Sequence, residues 1–485
     1  MSSKQKLNNL VKEFGGEILS TDGTVLFCKV CEKTVNYEKK YFVTQHLETS
    51  KHKAAATRNT GEKKACLIST YSAAASSRQN QFSVDLCKAF IDADIPLWKL
   101  ENKSLKCFLE MYTKEHVPSE STLRKNYVDP CYTQILQKIK DDLREKKIWI
   151  SIDETTDAVG RYVANVIVGS MDASKPSKVY LLTTEVLDKA NSTTIAQLFT
   201  KALALLWPDG IRHENVLLFL TDAAPYMKKA ARALKVLFPA MLHLTCLAHA
   251  LHRISEQVRG LFPDVDLLVS NGKKIFLKAP SRVEIFKDIA PNLALPPQPV
   301  LTRWGTWISA AIYYATNFDA VTEIINHLDE EDASSIRIVK QLLLKDSIRN
   351  DLAFIAAQYS NLPNAITSLE KRDETLVTSL KVFCDVVEEI NSAPGVKGRS
   401  VREKYERVIS SNQDLPKIKT IAKILEGESA EIDMNPTILA CFKYAPITSV
   451  EVERSFSLLK HVLSDRRQSF TFENLRKMLV INFNQ

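Results

Sequence analysis

Long apolar runs are missing from this 485-residue sequence, and none approaches the roughly 18 consecutive apolar residues that a membrane-spanning helix needs. The first residues hold no apolar stretch of the kind found in a secretory signal, so we expect none. The nine cysteines are mostly single and scattered, a pattern that does not indicate a disulfide framework. These absences exclude membrane-spanning and disulfide-stabilised secreted proteins and predict a reducing compartment.

A disorder-prone composition is missing as well, since hydrophobic residues make up 45% and charged residues 25% of the chain. A chain of this length exceeds one domain core, so about two to four domains are expected. Most of the net charge of +8 lies in residues 1–80, which carry 13 Lys and Arg against 7 Asp and Glu. This imbalance predicts a polyanion partner for the N-terminal module or, equally, a solvated basic tail.

Residues 28–52 carry four metal-ligand side chains at a spacing suited to zinc. Two residues separate Cys28 from Cys31, and His46 and His52 follow with five residues between them. Two thiolates from one turn and two imidazoles near a helix end can complete a tetrahedron around Zn²⁺. Because a module this small cannot fold on apolar burial alone, we expect the metal to stabilise it.

The helix that leads to His46 is predicted to pack through Phe42 and Leu47. Its other face carries cationic, amide and hydroxyl side chains of the kind that contact phosphates and base edges, namely Lys39, Lys40, Tyr41, Thr44 and Gln45. We therefore favour double-stranded DNA over a protein as the partner of this module.

The N-terminal sequence resembles known DNA-binding modules. The metal-ligand spacing, Phe27 before the first cysteine and the preceding EFGGEI are similar to a BED-type zinc finger. Together with FIDADIPLWKLENKSLKCFLE at 90–110, roughly residues 10–130 resemble the CGG triplet repeat-binding protein family. The resemblance implies a nuclear, DNA-binding role for this part of the chain.

Two segments of different character follow the finger. Residues 56–82 are rich in Ala, Ser, Thr, Lys and Gln with little apolar periodicity, which predicts a flexible linker. Residues 83–145 are predicted to form two or three helices, one of which starts near Ser119 or Ser121. Another has a single apolar face made by Val84, Cys87, Phe90 and Ile91. This segment either contacts DNA or only packs within the protein.

From residue 146 to 260 the pattern changes to short apolar runs separated by polar turns. Three consecutive strands are predicted, followed by helix, strand, helix, strand and helix. This order predicts a mixed α/β sheet with an antiparallel start, which is the order expected for a ribonuclease-H-like fold.

Two predicted strands of this core end in carboxylates. Asp153 belongs to SIDETTD after the first strand, and Asp222 ends LLFLTD, the fourth. If these strands are adjacent and parallel, both side chains meet at one end of the sheet. Mg²⁺ or Mn²⁺ would then offset their repulsion and support phosphodiester chemistry. On the pattern alone, each aspartate could instead be an ordinary turn or helix cap.

Residues 261–435 show helical periodicity, and a further helix is predicted near the C-terminus. Thr448 and Glu451 fit a capping box, so this helix should start near Ser449 or Val450. Glu453 lies at the edge of its apolar stripe, a position typical of a surface acid. The stripe consists of Val452, Phe456, Leu459 and Leu463.

Five motifs occur in the order and contexts of hAT-superfamily transposases, and the resemblance covers nearly the whole chain. They are SIDETTD (151–157), LTD (220–222), CLAHALH (246–252), TRW (302–304) and SVEVERSFS (449–457). The resemblance implies that Asp153, Asp222 and Glu453 form a DDE triad of metal ligands. It also implies that Cys246 and His249 support the active site.

The same resemblance assigns further roles. It implies that Trp304 stacks on a flipped base beside the cleavage site, where an indole can replace lost base stacking. It leaves Glu154 and Asp157 as turn and helix-entry residues. The segment with Leu475, Met478 and Leu479 on one face resembles the C-terminal dimerisation region of the family, which implies a homo-oligomer.

The predicted architecture is therefore α/β and multidomain. Its parts are a BED-type zinc finger (1–55), a linker (56–82), a helical DNA-binding or packing segment (83–145), a ribonuclease-H-like core (146–260), a large all-α insertion (261–435) and a C-terminal dimerisation region that completes the core (436–485).

Three functions are consistent with this architecture. The first is a nuclear, metal-dependent DNA transposase with Zn²⁺ in its finger and Mg²⁺ or Mn²⁺ at its triad. The alternative is a non-catalytic regulator of transcription that binds DNA and keeps the fold as a dimerisation scaffold. A weaker third hypothesis is a ribonuclease, for which the finger and the late glutamate would be unnecessary.

Overall fold

The structure is a computed structural model of the chain, and it describes residues 3–31, 33–53, 71–300, 305–463 and 470–484. The chain divides into two compact units, Met1–Arg78 and Gln79–Gln485. Most of the secondary structure is helical, and two β-sheets are present. Within the described ranges, no helix is both long and apolar enough to cross a bilayer.

The first unit is built on a small antiparallel sheet. Its strands are β1 (Leu19–Thr21), β2 (Leu26–Cys28) and β3 (Lys33–Val35), and helices α1 (Ser3–Phe14) and α2 (Lys40–Glu48) pack against them. Its core consists of Leu7, Leu10, Leu19, Leu26, Cys28, Val35 and Val43. A core of this size buries little apolar surface, so the unit depends on additional stabilisation.

The inward face of α2 differs from the predicted one. Val43 is fully buried, whereas Phe42 and Leu47 are only half-buried. Residues four positions apart share a helix face, so Val43 and Leu47 turn inward together and Phe42 lies one position away from that face. The prediction of Phe42 as a core residue was wrong because it followed side-chain size more than helical position.

The second unit begins with helices that share one apolar cluster. They are α3 (Tyr71–Asp92), α4 (Lys103–Thr113), α5 (Glu120–Asn126) and α6 (Val128–Leu143), with a 3-10 turn at Leu97–Glu101. As predicted, a helix starts after Ser119, whose Oγ accepts a hydrogen bond from Thr122 N at 3.2 Å. The predicted linker was too long, because residues 71–82 are helical and only 54–70 lie outside the described residues. The alanines of this stretch have high helix propensity, which explains the difference.

A five-stranded mixed sheet forms the centre of the second unit, with strand order β6-β5-β4-β7-β8. The strands are β4 (Lys147–Thr156), β5 (Tyr162–Met171), β6 (Val179–Leu187), β7 (Val216–Thr221) and β8 (Leu242–Thr245). Neighbours among β4, β5 and β6 are antiparallel, whereas β4, β7 and β8 run parallel. Helices α7 (Ser192–Leu206), α8 (Pro225–Leu234) and α9 (Leu247–Gly260) follow β6, β7 and β8 in the predicted order.

A tryptophan and a glycine fit together across β4 and β5. Trp149 lies opposite Gly169, where a Cβ would come within 2.3 Å of the indole Nε1. The glycine therefore makes room for the ring, and the indole N–H donates to Ser177 Oγ at 2.7 Å. This close approach favours one register of the β4–β5 pair.

Side chains, not further strands, occupy the two outer edges of this sheet. The Asn484 side chain bonds both Leu181 N (2.9 Å) and Leu181 O (2.8 Å) on β6. At the other edge, Asn412 bonds both Thr245 N (3.2 Å) and Thr245 O (3.1 Å) on β8. These amides satisfy backbone groups that an open edge strand would offer to another chain.

In the stretch with predicted helical periodicity, the described residues 261–300 and 305–435 form ten helices, and one continuous apolar core joins them to the sheet. They are α10 (Pro263–Phe276), α11 (Pro280–Ile289), α12 (Gly305–Thr316), α13 (Phe318–Asn326), α14 (Ser334–Leu343), α15 (Asp346–Tyr359), α16 (Leu362–Leu369), α17 (Leu376–Ser392), α18 (Gly395–Ile409) and α19 (Leu415–Leu425).

The C-terminal helices are α20 (Pro436–Cys441), α21 (Val450–Val462) and α22 (Phe472–Phe483). The predicted start of α21 is correct, with Ser449 as its N-cap residue, but the capping box is not formed. Thr448 Oγ1 instead donates to Leu369 O at 3.4 Å, and Glu451 pairs with Arg372 at 2.6 Å. The tertiary ion pair takes the carboxylate that a capping box would use.

The apolar face of α22 is buried within the chain. Leu475 and Leu479 are fully buried and Met478 nearly so, and the helix packs against α6 and β6. Hydrophobic periodicity identifies a buried face but not whether the same chain or another covers it. These three residues therefore cannot form a dimer interface without leaving the core.

Candidate metal centres

The first unit gathers the four predicted zinc ligands. Cys28 ends β2, Cys31 lies in the following turn, His46 lies on α2, and His52 follows in the next helical turn. Their ligand atoms all lie within 4.8 Å of one another. The distances from His52 Nδ1 are 3.5 Å to Cys28 Sγ and 3.0 Å to Cys31 Sγ.

These four groups fit a zinc ion on chemical grounds. Zinc bonds of about 2.3 Å to sulfur and 2.1 Å to nitrogen place a tetrahedral S–N edge at about 3.6 Å. His46 Nε2 is buried and has no hydrogen-bond partner among the described residues. Burial, and then His52, lowers the pKa of His46, which keeps the ring in the neutral form that binds metal. Burial raises the pKa of Cys31, so metal binding must displace its proton.

The predicted DNA-contact residues of α2 differ in their availability. Lys39 is exposed at the N-cap, and Tyr41 and Gln45 are exposed one turn apart. Lys40 pairs with Glu13, a contact that sequence spacing could not indicate. Thr44 is half-buried, and its hydroxyl donates to Lys40 O at 3.3 Å.

In the second unit, adjacent parallel strands bring the two predicted aspartates together. Ser151 of β4 aligns with Leu220 of β7, so the same register places Asp153 beside Asp222, just after β7 ends. Asp222 Oδ1 accepts a hydrogen bond from Ala224 N at 3.0 Å as the chain turns into α8. The predicted adjacency of the first and fourth strands is therefore present.

Helix α21 carries Glu453 to the same end of the sheet. Asn165 of β5 lies opposite Asp153 and donates from Nδ2 to Ser455 Oγ at 2.7 Å. This buried bond joins α21 to β5 two residues beyond Glu453. The carboxylate of Glu453 lies 3.4 Å from His249 Nε2.

The Cys-x2-His pair lies at the start of α9 and contacts the start of α21. Cys246 is buried at the N-cap, and its Sγ accepts a hydrogen bond from Ser449 N at 3.2 Å. Leu247 N donates to Ile447 O at 3.0 Å. These two bonds hold the first turns of α9 and α21 together, so they fix the position from which Glu453 extends.

Electrostatic interactions connect these groups. Burial, and then the charge of Asp222, raises the pKa of Asp153 to about 7, while His249 opposes the shift. The Cys246 thiolate charge raises the pKa of His249 to about 10, with smaller contributions from Glu453 and Asp153. Although burial opposes it, His249 lowers the pKa of Cys246 below its usual value. His249 is thus a cation between carboxylates on β4 and α21.

The three carboxylates predicted to form a triad do not come together as a close group of ligands. Among the described residues, the four finger residues are the only group of three or more ligand side chains within 4.8 Å of one another. A divalent ion between Asp153 and Asp222 would offset the repulsion that raises the pKa of Asp153. The donor set suits Mg²⁺ or Mn²⁺, while Glu453 would have to exchange its contact with His249 for the ion.

Sequence reasoning missed one contact at this site, and its roles for two acidic residues differ from the structure. Glu154 lies within β4 and pairs with the Tyr226 hydroxyl of α8, so its assignment as a turn residue was wrong. Asp157 does form a turn, with Oδ1 accepting from Val159 N and Arg161 N at 3.0 and 2.9 Å, but it enters a β-hairpin and not a helix. Trp304 lies outside the described residues.

Three regions of the chain match known families. Residues 3–58 match the CGGBP1 N-terminal domain, residues 118–275 match a domain of unknown function (DUF659), and residues 444–485 match the hAT family C-terminal dimerisation region. CGG triplet repeat-binding protein 1 of Homo sapiens and that of Mus musculus are each 29% identical over 130 residues, covering 25% of this chain and 77% of the relative. Every residue predicted for the two metal centres lies within one of the three matched regions.

Proposed function

We propose that this chain binds double-stranded DNA and cleaves it. The premise is that the chain is a hAT-like protein with an N-terminus like that of CGG triplet repeat-binding protein 1. In this proposal a BED-type zinc finger reads DNA, and a ribonuclease-H-like core carries a DDE triad for strand cleavage and transfer. The chain would act in the nucleus as a homo-oligomer.

The proposal for the finger is supported by its matched relatives and its exposed side chains. The relatives are named for binding CGG triplet repeats, and the aligned 130 residues extend beyond the finger. Lys39, Tyr41 and Gln45 are exposed on or beside α2 and can reach phosphates or base edges. We propose that Zn²⁺ holds this helix in place, so that DNA affinity depends on zinc.

The proposal for the core is supported chiefly by His249, which lies 3.4 Å from Glu453 and interacts electrostatically with Asp153, the neighbour of Asp222 in the sheet register. Asp153 and Asp222 would hold a divalent ion, and Glu453 would complete its ligand set after release from His249. When bound, Mg²⁺ or Mn²⁺ would supply an activated water and stabilise the leaving oxygen. Cys246 and His249 would position Glu453 through α21, and the five-stranded sheet provides the rigid frame.

Plasmid nicking tests the catalytic proposal. We expect the purified chain with Mg²⁺ or Mn²⁺ to nick supercoiled DNA. The nicking rate should fall by more than about 100-fold in D153N, D222N and E453Q, because loss of a metal ligand removes the ion that drives the reaction. The matched control is D172N, because Asp172 is a half-buried acid in the loop after β5 and is not one of the predicted metal ligands. Nicking at the parental rate in D153N would remove Asp153 from the chemistry.

A second candidate is a DNA-binding regulator of transcription without cleavage activity. The pairing of Glu453 with His249 favours it, since that contact leaves the triad incomplete. Its signature is zinc-dependent DNA binding by a parent chain that nicks no DNA. In both cases we expect C28S to weaken duplex binding about tenfold or more, equivalent to 1.4 kcal/mol, whereas C384S in the second unit should bind normally. Equal affinity in C28S would exclude the finger as the DNA-binding element.

A further inference from the structure

A cavity of about 180 Å³ lies between helix α8, strand β8 and the turn before α19. Its polar lining includes Lys228 and Arg232 from α8, Lys235 at the C-cap of that helix, His243 from β8 and Asp414 from the turn. The three cations are spaced at i, i+4 and i+7, so they lie on one side of α8 and its cap. The cavity therefore presents a cationic face of α8 next to one edge of the sheet.

The positive charge of this cavity is only partly neutralised. Asp414 already pairs with Lys235 at 2.5 Å and accepts a hydrogen bond from His243 N at 2.8 Å. Among the described residues, the side chains of Lys228 and Arg232 have no hydrogen-bond or ion-pair partner. Because the single carboxylate of the lining is paired with Lys235, these two cations give the cavity a positive charge that the protein does not neutralise.

The cavity is connected to the proposed cleavage site through the chain and through hydrogen bonds. Helix α8 begins three residues after Asp222, so Lys228 lies one turn into the helix that leaves the triad. His243 Nε2 lies 2.9 Å from Thr221 Oγ1, which donates to Asp222 O at 2.7 Å. An anion held here would therefore be bound on the same rigid framework as Asp222.

The lining distinguishes among anions. His243 is the one aromatic ring among the described lining residues, and it is held by Thr221 Oγ1 and packs beside Phe219, so the cavity offers no free ring on which a base could stack. Lys and Arg together suit the oxygens of a phosphodiester, and such contacts position a nucleic acid without reading its sequence.

We propose that this cavity binds one backbone phosphate of the duplex DNA that the core acts on. Lys228 and Arg232 contact the phosphate oxygens, and the contact positions the strand relative to Asp222. The inference deepens the proposed function and rests on it. It adds a sequence-independent DNA contact on the core, separate from the finger.

The salt dependence of DNA binding by the full chain tests this contact. The probe is a duplex of about 40 base pairs, long enough at about 3.4 Å per base pair for finger and core to bind together. Each lost phosphate contact lowers the slope of log affinity against log salt by about 1. We expect that reduction in the double variant K228Q/R232Q, equally for duplexes of different sequence. R232K keeps the charge and should keep the parental slope.

K229Q is the matched control, because Lys229 is exposed on the same helix but does not line the cavity. A double variant with the slope of K229Q would overturn the inference while leaving the proposed function intact, since the finger is unchanged in every protein compared. No duplex binding by the parent chain would instead overturn the proposed function. Suppression of parental binding by millimolar inorganic phosphate, with no slope change in K228Q/R232Q, would identify a small-anion site and also overturn the inference.

Discussion

Asp153 occupies a position where its ionised form is disfavoured. Burial and the neighbouring Asp222 raise its pKa to about 7, compared with a usual value of about 3.9. Between these two values, the folded chain retains a proton that the unfolded chain has released. The stability contributed by this residue therefore falls as pH rises from about 4 to 7, and above pH 7 the folded state carries the ionised, half-buried carboxylate.

The fall in stability with rising pH leads to a prediction for D153N. In metal-free buffer at pH 8, the variant should be more stable than the parent by on the order of 1 to 2 kcal/mol, because it removes the buried charge and solvent screening limits the effect. At pH 4 to 5 the difference should largely disappear. Urea unfolding at the two pH values measures it.

Magnesium provides a second measurement on the same variant. At pH 8, Mg²⁺ should stabilise the parent and leave D153N unaffected, because a ligand that binds only the folded state raises its stability. D172N is the control, since the pKa of that half-buried aspartate is lowered, not raised, by its hydrogen bonds with Ser174. Identical pH profiles for D153N and the parent would show that the carboxyl of Asp153 titrates normally.

At the scale of single residues, sequence reasoning predicted the adjacency of side chains where that adjacency depends on position along a strand. Asp153 lies within β4, three residues before its end, and Asp222 directly follows the neighbouring strand β7. The apolar runs that lead to both residues are visible in the sequence, although the end of β4 is not. The contacts between Glu453 and His249 and between Glu154 and Tyr226 were not predictable. They join residues some 200 and 70 positions apart, and no local pattern specifies such a pairing.

At the scale of secondary-structure elements, both edges of the central sheet are terminated by an asparagine. Asn412 bonds both backbone polar groups of Thr245 on β8, and Asn484 does the same for Leu181 on β6. One side-chain amide thus replaces one residue of a sixth strand. Since Asn412 is nearly fully buried, water cannot easily replace it.

N412A should therefore be destabilised by about 1 to 3 kcal/mol, the cost of leaving buried backbone groups unsatisfied. It should also aggregate more readily on partial unfolding, because the edge of β8 is then free to pair. Urea unfolding and light scattering measure the two effects. N361A is the control, since Asn361 bonds only to Glu389 at an exposed position. A variant no less stable than N361A would mean that the edge is satisfied in another way.

Element types were predictable where periodicity was strong, and their partners were not. The order of strands and helices from β4 to α9 followed from the apolar pattern. The apolar face of α22 was also recognised, yet its packing against α6 and β6 could not be read from the same pattern. The start of α3 was missed because its polar, Ala-rich sequence has helix propensity without an apolar stripe.

At the scale of the whole molecule, the two compact units have separate apolar cores. The first has seven buried residues, whereas a much larger core joins the sheet and the helices of the second. The size of the first unit and its Cys and His spacing predict that its folding depends on a metal. Loss of the metal should therefore leave the folding of the second unit unaffected.

Removal of zinc tests this independence. A zinc-selective chelator, with Mg²⁺ kept in the buffer, should unfold residues 3–53. The main thermal transition of Gln79–Gln485 should stay within about 2 °C of its starting value, since a change of 1 kcal/mol in stability shifts the melting temperature of a large domain by about 2 to 4 °C. The finger should unfold because zinc binding supplies most of its folding free energy, which in zinc-finger peptides amounts to about 10 to 16 kcal/mol. Limited proteolysis followed by mass spectrometry should then locate new cleavage sites in residues 3–53.

C31S should resemble the chelated protein even with zinc present, and C384S should resemble the untreated parent. A downward shift of the main transition on chelation would show instead that the two units unfold as one, or that zinc also stabilises the larger one.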